Sequence, residues 1–463
     1  MLQTNDILSR VKRVHFIGIG GSGMCPIAEI LLSKGYELTG SDRSESDTLD
    51  RVRGYGIPVF TEHKPENVDG AELVVYSAAV PKDNPELVAA REKGIPAIER
   101  SVMLGLVTKR YPRSVAVSGT HGKTTTTALL TQTLLMGGAD PSAIIGGKLP
   151  YIGGNGRAGA SDTIVCEACE YVDTFLQLHP YLSIILNIDA DHLDYFGTID
   201  NIIRSFHQFA LQTTGILLVY GDDPNVKKAM EGVANARIVT FGMKPENDYS
   251  AADVRDEPKA CEDFTVCRNG KPLCRAELSI PGKHNILNAL AAAAAADLLG
   301  IDPETIASAL HAFHGVHRRF EVLGSFGGVT VADDFAHHPT ELTATLSAAK
   351  RMGFREVWAL FQPHTYSRTY LLLNDFAKAL TIPDHVVLSE ILAVRETNTY
   401  KIYAKDLAEK IPGAVWFPTF EEMADYTMAR VQPGDLILTL GGGDIYKCAN
   451  LIVQKYRSQE EQK

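Results

Sequence analysis

The sequence predicts an α/β protein built as three domains in series. Short apolar runs rich in valine, isoleucine and leucine alternate with helix-length patterns along all 463 residues. That is the layout of mostly parallel sheets covered by helices. Glycine or serine turns follow these runs, where strands hand over to helices. The polar, proline-bearing stretch TKRYPRS at 108–114 and a fresh strand pattern near His317 divide the chain. A division is expected, because a single core seldom grows past about 250–300 residues.

The first block opens with the strand RVHFI and the loop GIGGSGM, and continues through ELTGSD and AELVVYSAAV. Gly18, Gly20 and Gly23 fit G-x-G-x-x-G, and Asp42 follows nineteen residues after Gly23. A glycine turn feeding a helix N-terminus suits a diphosphate. Read alone, the pattern describes a nicotinamide-dependent oxidoreductase. The physics of holding a diphosphate, however, does not specify which diphosphate.

The second block begins with the strand SVAVSG, the loop SGTHGKTT and the helix KTTTTALLTQTLLMGG. This is a phosphate cradle, in which glycines let backbone N–H groups turn toward the anion and the helix terminus adds positive potential. Lys123 would contact the β and γ phosphates, and the Thr124 hydroxyl would hold Mg²⁺. The loop is a shortened variant: Val117 stands five before Gly122, where the first glycine is usual, and Gly119 only three before it. The strand TIVCE ends at Glu167, and IILNIDADHLD ends another, with Asn187 and His192 just beyond. Ligands of open α/β sheets gather at the carboxyl ends of strands. A carboxylate and an imidazole there suit Mg²⁺, although a lone histidine in a loop is commonly just solvated.

Cys166 and Cys169 form C-x-x-C, but no second pair follows at zinc spacing, so they read as core cysteines. Residues Asp248 to Leu278 read as a polar antiparallel flap. The alanine-rich stretch PGKHNILNALAAAAAADLLG then makes a buried helix ending at Gly300. Asn285 and Asn288 share one face near its start, where they either read a purine edge or cap and pack the helix.

The third block carries GVHRRF, with Arg318 and Arg319 before a strand, a good position to reach a phosphate. DDFAHHPTE and FQPHTYSRT place Asp334, His337, His338, His364 and Arg368 at strand ends. Two clusters of histidine and arginine suggest an anionic or amine substrate. The strands EVWALFQ, HVVLSE and DLILTLGGGD complete the block.

The formal charge of −11 disfavours a nucleic-acid surface. No apolar run approaches the roughly eighteen residues of a membrane span. Seven irregularly spaced cysteines argue against a disulfide framework. The N-terminal stretch lacks a signal-peptide pattern, so a cytoplasmic protein without membrane insertion is expected.

Taken together, GIGGSGM, SGTHGKTTTT, EACEYVDTF, NIDADHLDYF, GKHNILNALAA, HRRFE, DDFAHHPTE and FQPHTYSRT resemble the Mur ligases, in that family's order and over essentially the whole chain. Within the family, GIGGSGM with DDFAHHPTE and QPHTYSRT is the mark of the members that join L-alanine to UDP-N-acetylmuramate. The resemblance implies an N-terminal Rossmann-like domain at 1–108, a central P-loop ATPase-like domain at 109–316 and a C-terminal Rossmann-like domain at 317–463. It implies ATP and Mg²⁺ as cofactors, and a monomer or weak dimer. By position, Gly119, Thr120, His121, Gly122, Lys123, Thr124 and Thr125 match the ATP loop. Thr124, Glu167 and His192 match the Mg²⁺ site, and Asn285 and Asn288 the adenine contacts. Arg319 and Asp334 match residues reaching phosphates and ribose, and His337 and Arg368 residues near the alanine and the reacting centre. Gly18, Gly20, Gly21, Ser22, Gly23, Met24, Asp42 and Ser77 match the UDP-sugar site.

Three departures stand out. Cys169 replaces the aspartate of EADE, and Phe335 the tyrosine of DDYAHH. No lysine lies between Lys148 and Lys227 to be the carbamylated lysine of some relatives. The competing expectations are a ligase adding an intact tripeptide to the same sugar nucleotide, the oxidoreductase suggested by the opening loop, and a regulatory ATP-binding protein without chemistry.

Overall fold

The computed structural model describes residues 4–256, 261–394 and 396–461. Its packing separates two compact units: 1–188, 202–241 and 291–306 in the first, and 189–201, 242–290 and 307–463 in the second.

The first unit contains two sheets. One is formed by β1 (Arg13–Ile17), β2 (Glu37–Ser41), β3 (Val59–Phe60), β4 (Leu73–Tyr76) and β5 (Ala97–Glu99), in the order β3-β2-β1-β4-β5. All neighbours are parallel. The chain winds outward from β1 in both directions, so the loop after β1 opens at the switch point where such sheets take ligands. From Val14 on, β1 is buried, as its apolar run requires.

The other sheet comprises β6 (Arg113–Ser118), β7 (Ser142–Leu149), β8 (Gly154–Arg157), β9 (Thr163–Glu167), β10 (Leu182–Ile185), β11 (Ile216–Tyr220) and β12 (Arg237–Gly242). They run in the order β12-β11-β10-β6-β9-β7-β8. The β7–β8 pair is antiparallel and the other neighbours run parallel. β6 is central, with β10 and β9 on either side, again a switch point. The helix Lys123–Met136 leaves from its end, and Ala291–Ala296 of the alanine-rich helix are fully buried. Side chains that small let backbones approach closely.

In the second unit, β13 (Tyr249–Asp256), β14 (Cys261–Arg268) and β15 (Lys271–Pro281) form the antiparallel flap; residues 257–260 within it lie outside the described residues. A further sheet joins β16 (Glu321–Phe326), β17 (Val329–Asp334), β18 (Val357–Phe361), β19 (His385–Leu388), β20 (Val415–Trp416) and β21 (Leu436–Leu440), in the order β16-β17-β21-β18-β19-β20. Only the edge pair β16–β17 is antiparallel. Separate apolar clusters cover its two faces. The register aligns Asp334, Leu440 and Phe361 across neighbouring strands, which brings the loops beyond them to one edge. Among the described residues, no helix is long and apolar enough to cross a membrane.

Candidate active site

The loop after β1 begins at Gly18, whose φ of +81° favours glycine. The N–H groups of Gly18 and Ile19 both donate to the Ser41 carbonyl, at 2.7 and 3.1 Å. Gly20 N–H donates to Asp42 Oδ2 at 2.9 Å, and Ser44 N–H to Oδ1 at 3.0 Å. Asp42 therefore braces the loop as well as facing it. A cavity of 510 Å³ opens here, lined by Gly18, Gly21, Asp42, Arg43, His63 and Ser77 among others. Four of the expected residues thus line it. Gly20 is pressed against Asp42, Gly23 against Arg100, and the Ser22 carbonyl accepts from Asn155 Nδ2. Met24 is 1% exposed and its N–H donates to the Gly21 carbonyl at 2.8 Å; like Gly20, Ser22 and Gly23, it is not part of the cavity wall.

Arg43 and His63 escaped the sequence reading. Arg43 brings to the cavity a positive charge that the glycine pattern lacks. His63 is held by Glu86, which is fully buried. His63 Nδ1–H donates to Glu86 Oε2 at 2.9 Å, the Ser41 hydroxyl to the same oxygen at 2.7 Å, and Asn67 Nδ2 to Oε1 at 2.5 Å. Burial opposes the charge on Glu86, but His15, Asn67 and Ser41 outweigh it and hold the pKa below the usual range.

The loop after β6 needs its glycines for space and conformation. A Cβ on Gly119 (φ +140°) would lie 2.9 Å from Leu186 Cβ, and Gly122 has φ +86°. Asn187 clamps the loop at three points. Its carbonyl accepts from Thr120 N–H (3.1 Å), its Oδ1 from His121 N–H (2.8 Å), and its Nδ2 donates to the His121 carbonyl (3.0 Å). Lys123 Nζ donates to the carbonyls of Gly119 (2.5 Å) and Thr120 (3.0 Å), and to Glu170 Oε2 at 2.9 Å. Burial disfavours the ammonium, yet Glu170, Cys169 and Glu167 more than compensate and raise its pKa, so Lys123 is charged. Thr124 follows in the first helical turn with Thr125 beside it, and Glu167 Oε1 accepts from Gly146 N–H at 2.6 Å. Lys123, Glu167 and Asn187 thus share one edge of one sheet. Cys166 is a core cysteine as expected, its thiol raised to about 12 by desolvation, whereas Cys169 is exposed and so is not part of the core; neither is in a disulfide.

In the second unit, Asp191 organises a cluster that the sequence named only in pieces. Arg368 donates to Asp191 Oδ1 from Nε (3.2 Å) and Nη2 (3.0 Å), and His192 N–H to the same oxygen at 2.7 Å. Burial would raise the Asp191 carboxyl, but Arg368, then His192, His338 and His337, hold it far below the usual range. Arg368 Nη1 also donates to the His364 carbonyl (2.8 Å) and to His364 Nδ1 (3.2 Å). Arginine only donates, so His364 carries its proton on Nε2. His337 packs edge-on against His364, with ring centres 5.6 Å apart. His337 Nδ1–H donates to the Phe335 carbonyl at 3.0 Å, which leaves Nε2 as a lone-pair acceptor. Burial, with Arg368 adding to it, lowers both histidines to about 4. They are neutral at pH 7. His338 instead caps the helix Pro339–Arg351.

The two arginines of HRRFE divide the work. Arg318 is committed to the fold through Asp333 (2.9 Å) and the carbonyls of Gly443 and Gly441 (2.9 and 2.8 Å). Arg319 lies over the Phe335 ring, 5.2 Å from its centre, and has no ion pair among the described residues. Asp334 accepts from Phe320 N–H (2.7 Å) and Ala336 N–H (2.8 Å); its burial pushes it up to about 6. Phe335 sits between both guanidinium groups without needing a hydroxyl. Asn285 Nδ2 donates to the Pro281 carbonyl (2.7 Å) and Asn288 Nδ2 to Asn285 Oδ1 (2.9 Å), so both amides are tied into the helix start.

Three family models match the chain in sequence: "Mur ligase family, catalytic domain" over residues 13–112, "Mur ligase middle domain" over 117–296, and "Mur ligase, glutamate ligase domain" over 318–443. The UDP-N-acetylmuramate–L-alanine ligase of Caldanaerobacter subterraneus is 45% identical over 454 residues, covering 97% of this chain and 98% of the relative. That of Acetivibrio thermocellus is 44% identical, covering 96% of each. The crystal structure of the UDP-N-acetylmuramate–alanine ligase of Thermotoga maritima superposes with a TM-score of 0.81 at 31% identity, over 96% of this chain and 99% of that one. A murein peptide ligase from Psychrobacter arcticus shares the fold, at 24% identity and a TM-score of 0.74. Matched from its first sheet to its last, by motif order, by sequence and by fold, the chain belongs to the Mur ligase family.

Proposed function

We propose that the protein joins L-alanine to the carboxylate of UDP-N-acetylmuramate, converting ATP to ADP and phosphate and yielding the peptidoglycan precursor UDP-N-acetylmuramoyl-L-alanine. The observation that carries the reading is the pair of phosphate-holding loops in one unit, one with a lysine and one without. A hydride-transferring enzyme has no use for the second. The choice of L-alanine follows the relatives' named substrate.

In this reading the domains run 1–108, 109–316 and 317–463. The first holds UDP through Gly18, Gly21, Asp42 and Ser77, now joined by Arg43 and His63. Asn285 and Asn288 lie on the adenine side, and Arg319 and Asp334 reach the phosphates and ribose. The protein acts in the cytoplasm, as a monomer or weak dimer.

A carboxylate resists attack because oxide is a prohibitive leaving group. Transfer of the γ-phosphoryl group to a carboxylate oxygen gives an acyl phosphate and ADP. The amine lone pair of alanine then attacks the carbonyl carbon, the carbon–oxygen bond to phosphate breaks, and phosphate leaves. Such transfer depends on positioning and charge neutralisation, which Lys123 supplies as a fixed cation. Glu167 keeps an oxygen beyond its Gly146 contact and, with the Thr124 hydroxyl of the same unit, offers oxygen donors of the kind Mg²⁺ takes alongside waters; His192 is assigned to the metal by the family's motif alone. When bound there, Mg²⁺ would add screening of the phosphate charge. Arg368 receives the alanine carboxylate, and the lone pair of His337 Nε2 accepts from its ammonium as the proton departs.

The test is phosphate release with ATP, Mg²⁺ and UDP-N-acetylmuramate, with and without L-alanine. Alanine-dependent release is expected. Release that requires an intact tripeptide, or none at all with NAD bound instead, would overturn the reading.

A further inference from the structure

Beyond the end of β19, the chain up to Leu392 runs back beside the turn that carries His364 and Arg368. Leu392 N–H donates to the Pro363 carbonyl at 2.9 Å, and Leu392 pairs with His364 in an isolated parallel bridge. Four residues on, Glu396 spends its whole carboxylate on that turn. Oε1 accepts from the Thr365 hydroxyl (2.7 Å) and the Ser367 hydroxyl (2.5 Å), and Oε2 from Ser367 N–H (2.8 Å). Thr365 and Ser367 are the neighbours of His364 and Arg368 in the chain.

What they support is small. The helix Tyr366–Leu371 has six residues and is too short to hold itself. Arg368 nevertheless has to meet Asp191 and His364 together within ordinary hydrogen-bond distance. Three converging donors call for a group that only accepts. A glutamine would turn an NH₂ toward one of them, and an aspartate is one methylene short of spanning both residues.

We infer that Glu396 is the positioning residue of the amino-acid site: through Thr365 and Ser367 it fixes His364 and Arg368, whose N–H groups receive the α-carboxylate of the incoming amino acid. The inference rests on the functional reading above, in which Arg368 meets that amino acid. Glu396 therefore governs the KM for the amino acid and leaves phosphoryl transfer alone. A plain helix cap would behave differently, changing stability without singling out one substrate.

The experiment uses the full chain carrying Glu396→Gln, Glu396→Asp or Ser367→Ala. It reads KM for L-alanine, ATP and UDP-N-acetylmuramate, the melting temperature, and acyl phosphate trapped by hydroxylamine in place of alanine. Glu396→Gln is expected to raise the KM for L-alanine about ten-fold, since roughly 1.4 kcal/mol of lost hydrogen bonding corresponds to that factor. The other two KM values and the trapped rate should stay within about two-fold, and Ser367→Ala should give a smaller rise in the same single constant. An unchanged KM for alanine beside normal wild-type turnover overturns the inference alone. So does a common fall of all three affinities and the trapped rate together with the melting temperature. Wild-type protein without alanine-dependent turnover overturns the functional reading, and this inference with it. Should both Glu396 variants fail to fold, Ser367→Ala decides by the same criteria.

Discussion

The loops after β1 and β6 are built alike and do different things. Each ends a central parallel strand, carries glycine at positive φ and leads into a helix. The first is braced by a carboxylate, since Asp42 accepts from Gly20, and it opens on a cavity with Arg43 and His63 at the wall. The second is braced by a neutral amide, Asn187, and places a charged lysine where the loop enters its helix, with its ammonium on the loop carbonyls. A loop meant to grip a diphosphate that stays intact can take its cation from the wall. A loop whose phosphate is transferred needs the cation fixed where charge moves. The glycines state what is held, and the lysine states what is done with it.

Lys123→Ala breaks the comparison most sharply. Ligation is expected to fall by roughly 10³-fold or more, by analogy with the loss of a transition-state charge. Binding of UDP-N-acetylmuramate, read by calorimetry, should be unchanged. Ligation that survives would put the chemistry elsewhere. In the converse test, Asp42→Ala should raise the KM for the UDP-sugar by roughly 10-fold, the scale of one or two lost hydrogen bonds, while the KM for ATP holds. A rise in both would mean that the loops are not independent.

Acid separates both loops from the histidine cluster. His337 and His364 titrate at about 4 in the folded protein and near 6.5 unfolded. Between those values the unfolded chain binds protons that the folded one refuses, so stability rises with pH across the window. The effect is at most roughly 3.4 kcal/mol per histidine. Asp191, whose folded pKa is depressed, adds in the same direction at lower pH, and Asp334, raised to about 6, opposes it. Urea unfolding at pH 5 and pH 7 should show this difference, and His337→Gln with His364→Gln should flatten it. The smallest effect is expected at Phe335. Phe335→Tyr should leave turnover within about two-fold, whereas Phe335→Leu, which removes the aromatic face from Arg319, should cost several-fold.

Legibility followed distance along the chain. SGTHGKTT, the strand end at Glu167 and the glycine turn near Asp42 are local patterns, and the structure puts each at the strand edge where ligands gather. Arg368 and His337 were nominated by position, yet what ties them is Asp191, 177 residues before Arg368. Glu396 lies in an irregular segment with no motif, and it matters only because β18 and β19 are adjacent. Glu86 belongs to a helix and meets His15, Ser41 and His63 through the sheet order alone. Met24 shares the motif of the UDP-sugar loop, yet its apolar side chain follows the core. Periodicity and motif spacing report contacts within an element; contacts set by topology have no such trace.

The β7–β8 hairpin belongs to the second sheet but fastens to the first. Arg51 donates to the carbonyls of Gly156 (2.7 Å) and Gly153 (3.4 Å), Asn155 to that of Ser22, and Lys148 pairs with Asp47 at 2.8 Å. A Cβ on Gly156 would stand 2.3 Å from Pro26. On the proposed reading, the place where the sugar nucleotide is grasped and the place where the phosphoryl group is offered are thereby set at a fixed pitch, like two jaws cut from one block. The gap between carboxylate and γ-phosphate is then a dimension of the unit itself. The side chains around Arg368 that meet the amino acid can then differ without altering that gap.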